Sequence, residues 1–201
     1  MSLFNRTEII NTALRRLGSA GVNLPDVTVS SPTGQLAEGA FQGVLEYCLT
    51  LFSWDFATRY VRLPQVSTAP SFGYAHAYQL PADCVRVVDI RQNDSRDTLR
   101  HDCPAYELSG SILFTDAAPC LARYVSTEVQ GKMPAQFANI LAWRLAFEIS
   151  AQTTQGAANA GDIYKLFLQS VDEAKELQGI SDNRKLISPA LASRMVAERF
   201  N

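Results

Sequence analysis

The chain has 201 residues, of which 47% are hydrophobic and 19% charged, with a formal net charge of -2. That length and apolar content suit one domain, or one domain with an appendage, and exclude bulk disorder. Near-neutral charge gives no global excess for duplex DNA or a membrane surface, no apolar run approaches the roughly 20 residues of a membrane span, and "MSLFNRTEII" lacks the basic-then-apolar order of a secretory signal.

Asn5 and Glu8 form a capping box for a first helix, with Phe4 and Ile9 spaced as its hydrophobic staple. Ile10, Ala13, Leu14 and Leu17 then repeat at i, i+3, i+4, i+7, and Gly18 closes the helix. A loop holding Pro25 and Pro32 leads to a second helix, expected from Gln35 to Tyr60. Ala37, Phe41, Val44, Cys48 and Leu51 share a face that Leu45, Leu49, Phe52 and Phe56 widen. So broad an apolar face places this helix at the centre of a bundle. Pro64 stops the run that follows.

The middle of the chain reads as β. Tyr74, His76, Tyr78 and Leu80 alternate with smaller or polar residues, and Val85 to Ile90 is a short β-branched run. "YELSGSILFTD" is a hairpin turning at Ser109-Gly110, and "CLARYVS" is a last strand. So few short strands predict one small antiparallel sheet packed on helices and not a sandwich. A third helix starts at Pro134, with Phe137, Ile140, Leu141, Leu145 and Ile149 inward and Trp143 and Phe147 beside them. A fourth follows Asn159 on Ile163, Phe167, Val171, Ala174 and Leu177, and Gly179 closes it. The locally basic remainder, divided by Pro189, reads as an arm that is either loose or laid on a neighbour.

The expected fold is mainly α (α+β): a helical bundle of about four helices with a small antiparallel β-sheet inserted between the second and third, plus an extended C-terminal arm. The main domain is 1–180, its bundle 5–63 and 134–179, its β region 72–127, and the arm is 181–201. Trp54, Phe56 and Trp143 are the core anchors, and Asp55 is spaced to pair with Arg59 at i+4.

Little in the sequence carries chemistry. Cys48, Cys84, Cys103 and Cys120 form no CxxC pair and no zinc-finger spacing, and read as reduced thiols of a cytosolic product. The run "RHDCP" sets His101, Asp102 and Cys103 side by side, but catalytic Cys/His pairs meet through the fold and not along the chain. His76 reads as a residue of a sheet before it reads as a ligand. Glu46 and Glu148 are the least poor candidates for paired carboxylates, and Arg144 at i-4 from Glu148 gives a plain ion-pair explanation of the second. Neither GxxxxGK[ST] nor GxGxxG occurs. The expectation is no catalytic residues, no metal, no cofactor and no enzyme activity.

"EIINTALRRLGS", "FSWDFATRYVRLP", "HAYQLPADCVRVVDI", "GSILFTD", "ARYV" and "MPAQFANILAWRLAFEIS" occur in that order, followed by a helix of mixed charge. In this order and spacing, Thr7 to Gln178 resembles the tail tubular protein A family of short-tailed bacteriophages. The family's W-x-F triplet is followed by Asn in many members and by Ala57 here. The resemblance implies a virion protein of the tail, made in the host cytoplasm: a twelve-fold adaptor ring between portal and tail nozzle. DNA would cross the ring without sequence-specific binding, and no membrane is involved. Arg184, Lys185, Leu186, Leu191, Arg194, Met195 and Phe200 would then be portal or subunit contacts. The alternatives are a virion-associated peptidoglycan hydrolase or another head-completion or interaction module.

Overall fold

In the computed structural model, which describes residues 3–17, 31–67, 73–92, 103–129, 133–152 and 160–186, twelve elements follow one another. They are β1 (Leu3–Phe4), α1 (Arg6–Arg16), α2 (Pro32–Leu51), β2 (Thr58–Arg62), β3 (His76–Gln79), β4 (Cys84–Arg91), β5 (Tyr106–Ser109), β6 (Ile112–Thr115), β7 (Leu121–Ser126), β8 (Met133–Pro134), α3 (Ala135–Ser150) and α4 (Ala160–Leu186). The strands form two three-stranded antiparallel sheets, ordered β2-β7-β4 and β3-β6-β5, and the short pair β1-β8. The expected mainly helical bundle with one small sheet is therefore corrected to a mixed α+β fold with two sheets.

The main source of that error is the second helix. It starts earlier than expected, at Pro32, because Ser31 caps it: Gly34 N–H donates to Ser31 Oγ at 3.0 Å, and proline at the first helical position loses no hydrogen bond. It also stops at Leu51 and not at Tyr60. Trp54 lies just past the end, 7% exposed, and its indole Nε1–H donates to the Cys48 carbonyl at 3.0 Å. That carbonyl belongs to the last helical turn, whose oxygens have no partner within the helix. A turn then forms on the Trp54 carbonyl, which accepts from Ala57 N–H at 3.1 Å and Thr58 Oγ1 at 2.7 Å. Thr58 to Arg62 emerges as a strand and pairs with β7 from Thr58↔Val125 to Arg62↔Leu121.

The chain divides into two units, one spanning Phe41–Pro134 with the first few residues, the other taking in Thr7–Ala40, α3 and α4. In the first, the two sheets share a core. Val87, Ile90 and Ala122 of one sheet cluster with Tyr78 and Leu113 of the other, and Leu63, Leu80 and Cys120 complete the set. The buried Tyr78 hydroxyl donates to the Ala117 carbonyl at 2.8 Å. The β5-β6 hairpin turns one residue later than the expected Ser109-Gly110, because Ser109 still pairs with Ile112 and the first loop residue is Gly110. Its φ of 60° is what the first position of a two-residue II′ turn requires, and glycine adopts it without a steric penalty.

In the second unit α3 is the central helix. Phe137, Ile140, Leu141, Leu145 and Ile149 are buried, and so are the small residues Ala138, Ala142 and Ala146 on other sides. Its Phe147 ring meets Tyr164 of α4 at 5.0 Å between centroids. Arg16, at the end of α1, donates from Nη1 to the Asn139 carbonyl at 3.0 Å and from Nη2 to the Asn139 side chain, with its guanidinium 3.9 Å from the centre of the Trp143 ring. Burial pulls that guanidinium down to about 10, which leaves it charged at neutral pH. Helix α4 runs through Gly179 to Leu186, so the expected stop at Gly179 is corrected. An interior glycine costs a helix roughly 1 kcal/mol relative to alanine, which weakens it without ending it.

Truncating Trp54 to alanine removes a buried ring and the partner of the Cys48 carbonyl together. A loss of about 3–5 kcal/mol is expected from urea unfolding, with Trp54→Phe losing about 1 kcal/mol for the hydrogen bond alone. A melting curve for Trp54→Ala that overlays the wild type would remove this residue from the helix-ending role.

Candidate functional site

The residues with chemical potential in the sequence are not brought together. His76 sits on β3, its Nδ1 3.2 Å from Gln65 Nε2, and its ring packs at 6.3 Å from Tyr78. Cys103 is exposed, while His101 and Asp102 lie outside the described residues. Glu46 accepts a bond from Gln42 Nε2 at 2.9 Å, one turn away on α2. Glu148 pairs with Arg144 at 3.2 Å, the i+4 pair expected. The expected Asp55–Arg59 pair is not made: Arg59 donates to the Glu128 carbonyl at 2.6 Å and lies 4.0 Å from its carboxylate. The reason is secondary structure, since an i+4 pair needs a helix and Arg59 is on a strand. Among the described residues no three His, Cys, Asp or Glu side chains converge on a position for a metal ion.

One polar cluster escaped the sequence reading. Asp83 precedes β4, and its carboxylate accepts from the Tyr124 hydroxyl at 3.2 Å and from the Ser126 hydroxyl, both on β7. Its carbonyl accepts from Thr127 N–H at 2.9 Å, and Ser126 Oγ accepts from Glu128 N–H at 3.0 Å. Burial, and then the Asp83 charge, push the Tyr124 phenol above its ordinary range. Ser126 is fully buried, and its hydroxyl is engaged both as donor and as acceptor. This arrangement clasps β4 to the end of β7. It does not present a nucleophile beside a base, because the proton of Ser126 is already held by a half-buried carboxylate and the buried Ser126 oxygen faces no solvent. Only the "PAD" preceding the β-branched run could have flagged Asp83, and only as a turn residue.

The thiols are spread through the fold. Cys48 and Cys120 are buried, and burial lifts Cys120 to about 11. Cys84 is also raised, by burial first and by the Asp83 charge second. A shallow cleft of about 480 Å³ opens where Arg62, Gln65, Tyr78 and Pro119 meet. It holds one guanidinium and one amide, with the Tyr78 hydroxyl turned to the Ala117 carbonyl.

Surfaces are the more distinctive feature. Tyr60 on β2 is 75% exposed, and on α4 Tyr164, Leu166, Leu168 and Leu177 are all exposed, which corrects the inward position expected of Leu177. Of the contact residues expected in the arm, Arg184, Lys185 and Leu186 fall on the last turn of α4, while Leu191, Arg194, Met195 and Phe200 lie outside the described residues. Of the expected anchors, Trp54 is buried, Phe56 is half-buried at 6.0 Å between ring centroids from it, and Trp143 is half-buried beneath Arg16.

The thiols should therefore alkylate in a fixed order. At pH 8 Cys103 is expected to react first and Cys120 last, since a thiol near 11 is ionised in roughly one molecule in a thousand there and is shielded as well. Peptide mapping after iodoacetamide pulses at pH 7–10 measures this, and Cys103→Ser should remove the fast phase without lowering the melting temperature. Equal labelling of Cys120 and Cys103 would contradict the burial described.

Compared with known proteins, the chain matches no protein-family model and no curated protein.

Proposed function

We propose that this chain is a structural adaptor of a short-tailed bacteriophage, a virion protein that forms a ring between the portal and the tail nozzle. In this reading twelve copies assemble beneath the portal, attach the tail and leave a channel for DNA, which passes without sequence-specific contacts. The reading assigns the chain no enzyme activity and no cofactor.

The observation that carries this reading is the surface of α4. Ile163, Phe167, Val171 and Ala174 make its buried stripe, yet Tyr164 and Leu168 stay exposed on one flank and Leu166 and Leu177 on the other. Each of these side chains keeps 41–48% of its surface in water, so full burial would add about half of the roughly 1.5–3 kcal/mol of a whole side chain, and apolar surface on both flanks of one helix suits a surface that meets another protein. The order of motifs along the chain supports the same class. So does the use of polar groups: the Asp83 cluster and the Arg16–Asn139 contact hold strands and helices. Among the described residues no helix is long and apolar enough to cross a membrane.

Mixing the purified chain with its portal and imaging by negative-stain microscopy tests the proposal. The expected result is extra ring density on one end of the portal, absent when the chain is omitted. A portal that never gains density, together with a chain that sediments alone in the mixture, would reject it.

A further inference from the structure

The outer face of the β2-β7-β4 sheet is rich in arginine. Strand register sets it out in rows. Arg62, Leu121 and Arg91 lie across from one another in the first row, and Tyr60, Arg123 and Asp89 in the second. The third row, Thr58, Val125 and Arg86, is closed off where Val125 is buried and Arg86 donates to Ser53 Oγ at 2.7 Å. Asp89 is the single acid on the face, shared between Arg123 Nε at 3.5 Å and Arg91 Nε at 3.8 Å. Three arginines, Arg62, Arg91 and Arg123, against one carboxylate, around an exposed tyrosine, leave a cationic surface on a chain whose net charge is -2.

The matching surface is on α4. Asp162, Leu166, Gln169, Glu173, Glu176 and Leu177 are spaced at i, i+4, i+7, i+11, i+14 and i+15, so they share one side of the helix, and all are exposed. Lys165 holds Asp162 at 3.0 Å, and Gln169 reaches Glu173 at 3.5 Å. Among the described residues, no cation pairs with Glu173 or Glu176 and no acid pairs with Arg62. The stripe joins two leucines to three carboxylates. It is roughly 23 Å long at 1.5 Å per residue, close to the roughly 25 Å that the eight residues of β4 span. A helix about 10 Å wide covers the roughly 10 Å between the outer strands of a three-stranded sheet.

We infer that the outer face of β2-β7-β4 in one copy receives the acidic, leucine-bearing side of α4 from the next copy. The two surfaces are different patches of the same chain, so the contact is head-to-tail and propagates from copy to copy, which closes into a ring where the rotation allows. Tyrosine and arginine, without lysine, are the side chains that dominate the energetics of protein interfaces. The absence of a basic excess across the whole chain favours a protein occupant over nucleic acid. The inference rests on the ring reading above and specifies its subunit contact.

A charge exchange tests it. Sedimentation of the full chain at low salt, up to millimolar concentration, measures self-association of the wild type, of Arg62→Glu/Arg123→Glu, of Glu173→Arg/Glu176→Arg and of the four-fold combination, with thermal melts as the folding control. Arg62→Glu alone, at an exposed position, serves if the double sheet variant melts early. The wild type should associate more weakly as salt is raised, each double variant at least about tenfold more weakly than the wild type, and the combination within about threefold of the wild type. A wild type that stays monomeric, or a combination as weak as either double variant, overturns the interface. So does a sheet variant that loses binding to a labelled duplex oligonucleotide while its self-association is unchanged, because the face would then belong to nucleic acid. Ring density on the portal that is insensitive to these substitutions leaves the adaptor reading standing and removes only this contact. Charge rescue without any density on the portal does the reverse.

Discussion

The β unit depends on α2 stopping where it does. Three carbonyls of the last turn follow Cys48, and a helix continued through Phe52 and Trp54 would carry Thr58 to Arg62 with it. The indole N–H on the Cys48 carbonyl and the turn built on the Trp54 carbonyl make the stop energetically definite. Once it is made, Thr58 to Arg62 can pair with β7, and β7 can hold β2 and β4 on its two sides. Ala57 is part of the same device: it is buried, its N–H closes the turn, and its carbonyl accepts from Ser126 N–H at 2.9 Å. A larger polar residue there would need room that the buried site does not offer.

Much of the architecture was legible locally. The start of α1 directly after Asn5, the hairpin at Gly110, the stripe of α3 and the start of α4 at Ala160 depend on neighbours within a few residues, and the structure has each of them. The helix-to-strand change inside "FSWDFATRYVRLP" was not legible, because Phe52 and Phe56 continue the apolar spacing of α2 while a tertiary hydrogen bond decides against it. Nor was the β1-β8 pair, which joins Leu3 to Pro134 across most of the chain. Counting strands fell short for the same reason. Two strand segments of two residues and one disguised as a helix end give no periodicity to count.

The polar chemistry divides along the same line. Glu148 with Arg144 is a local pair and could be read from spacing. The Asp83 clasp joins residues more than 40 positions apart through the β4-β7 register, and β4 contains two register shifts that no alternation pattern reveals. Those bulges also place Val87 and Ile90, three apart, on the same inward face, which a strict two-residue period would have separated. Leu177 was misassigned for a comparable reason on the helical side. Three residues beyond Ala174 on a 3.6-residue period, it rotates off the centre of the buried stripe onto its flank.

What remains after the folding contacts are counted is a division of charge. The three strands of the β2-β7-β4 sheet carry five arginines and one acid, whereas α4 through Leu177 carries four carboxylates and two lysines. The excesses have opposite signs and the chain as a whole carries only -2, so composition alone conceals them. Segregated charge of this kind does little for the stability of a monomer, because exposed pairs contribute at most about 1 kcal/mol and like charges on one face repel. In the proposed contact it would set which surfaces of neighbouring copies attract each other and which do not. A face that repels its own kind and attracts a different face disfavours the two-fold, self-complementary dimer and favours a directional series. That directionality is the property a closed ring of identical subunits requires.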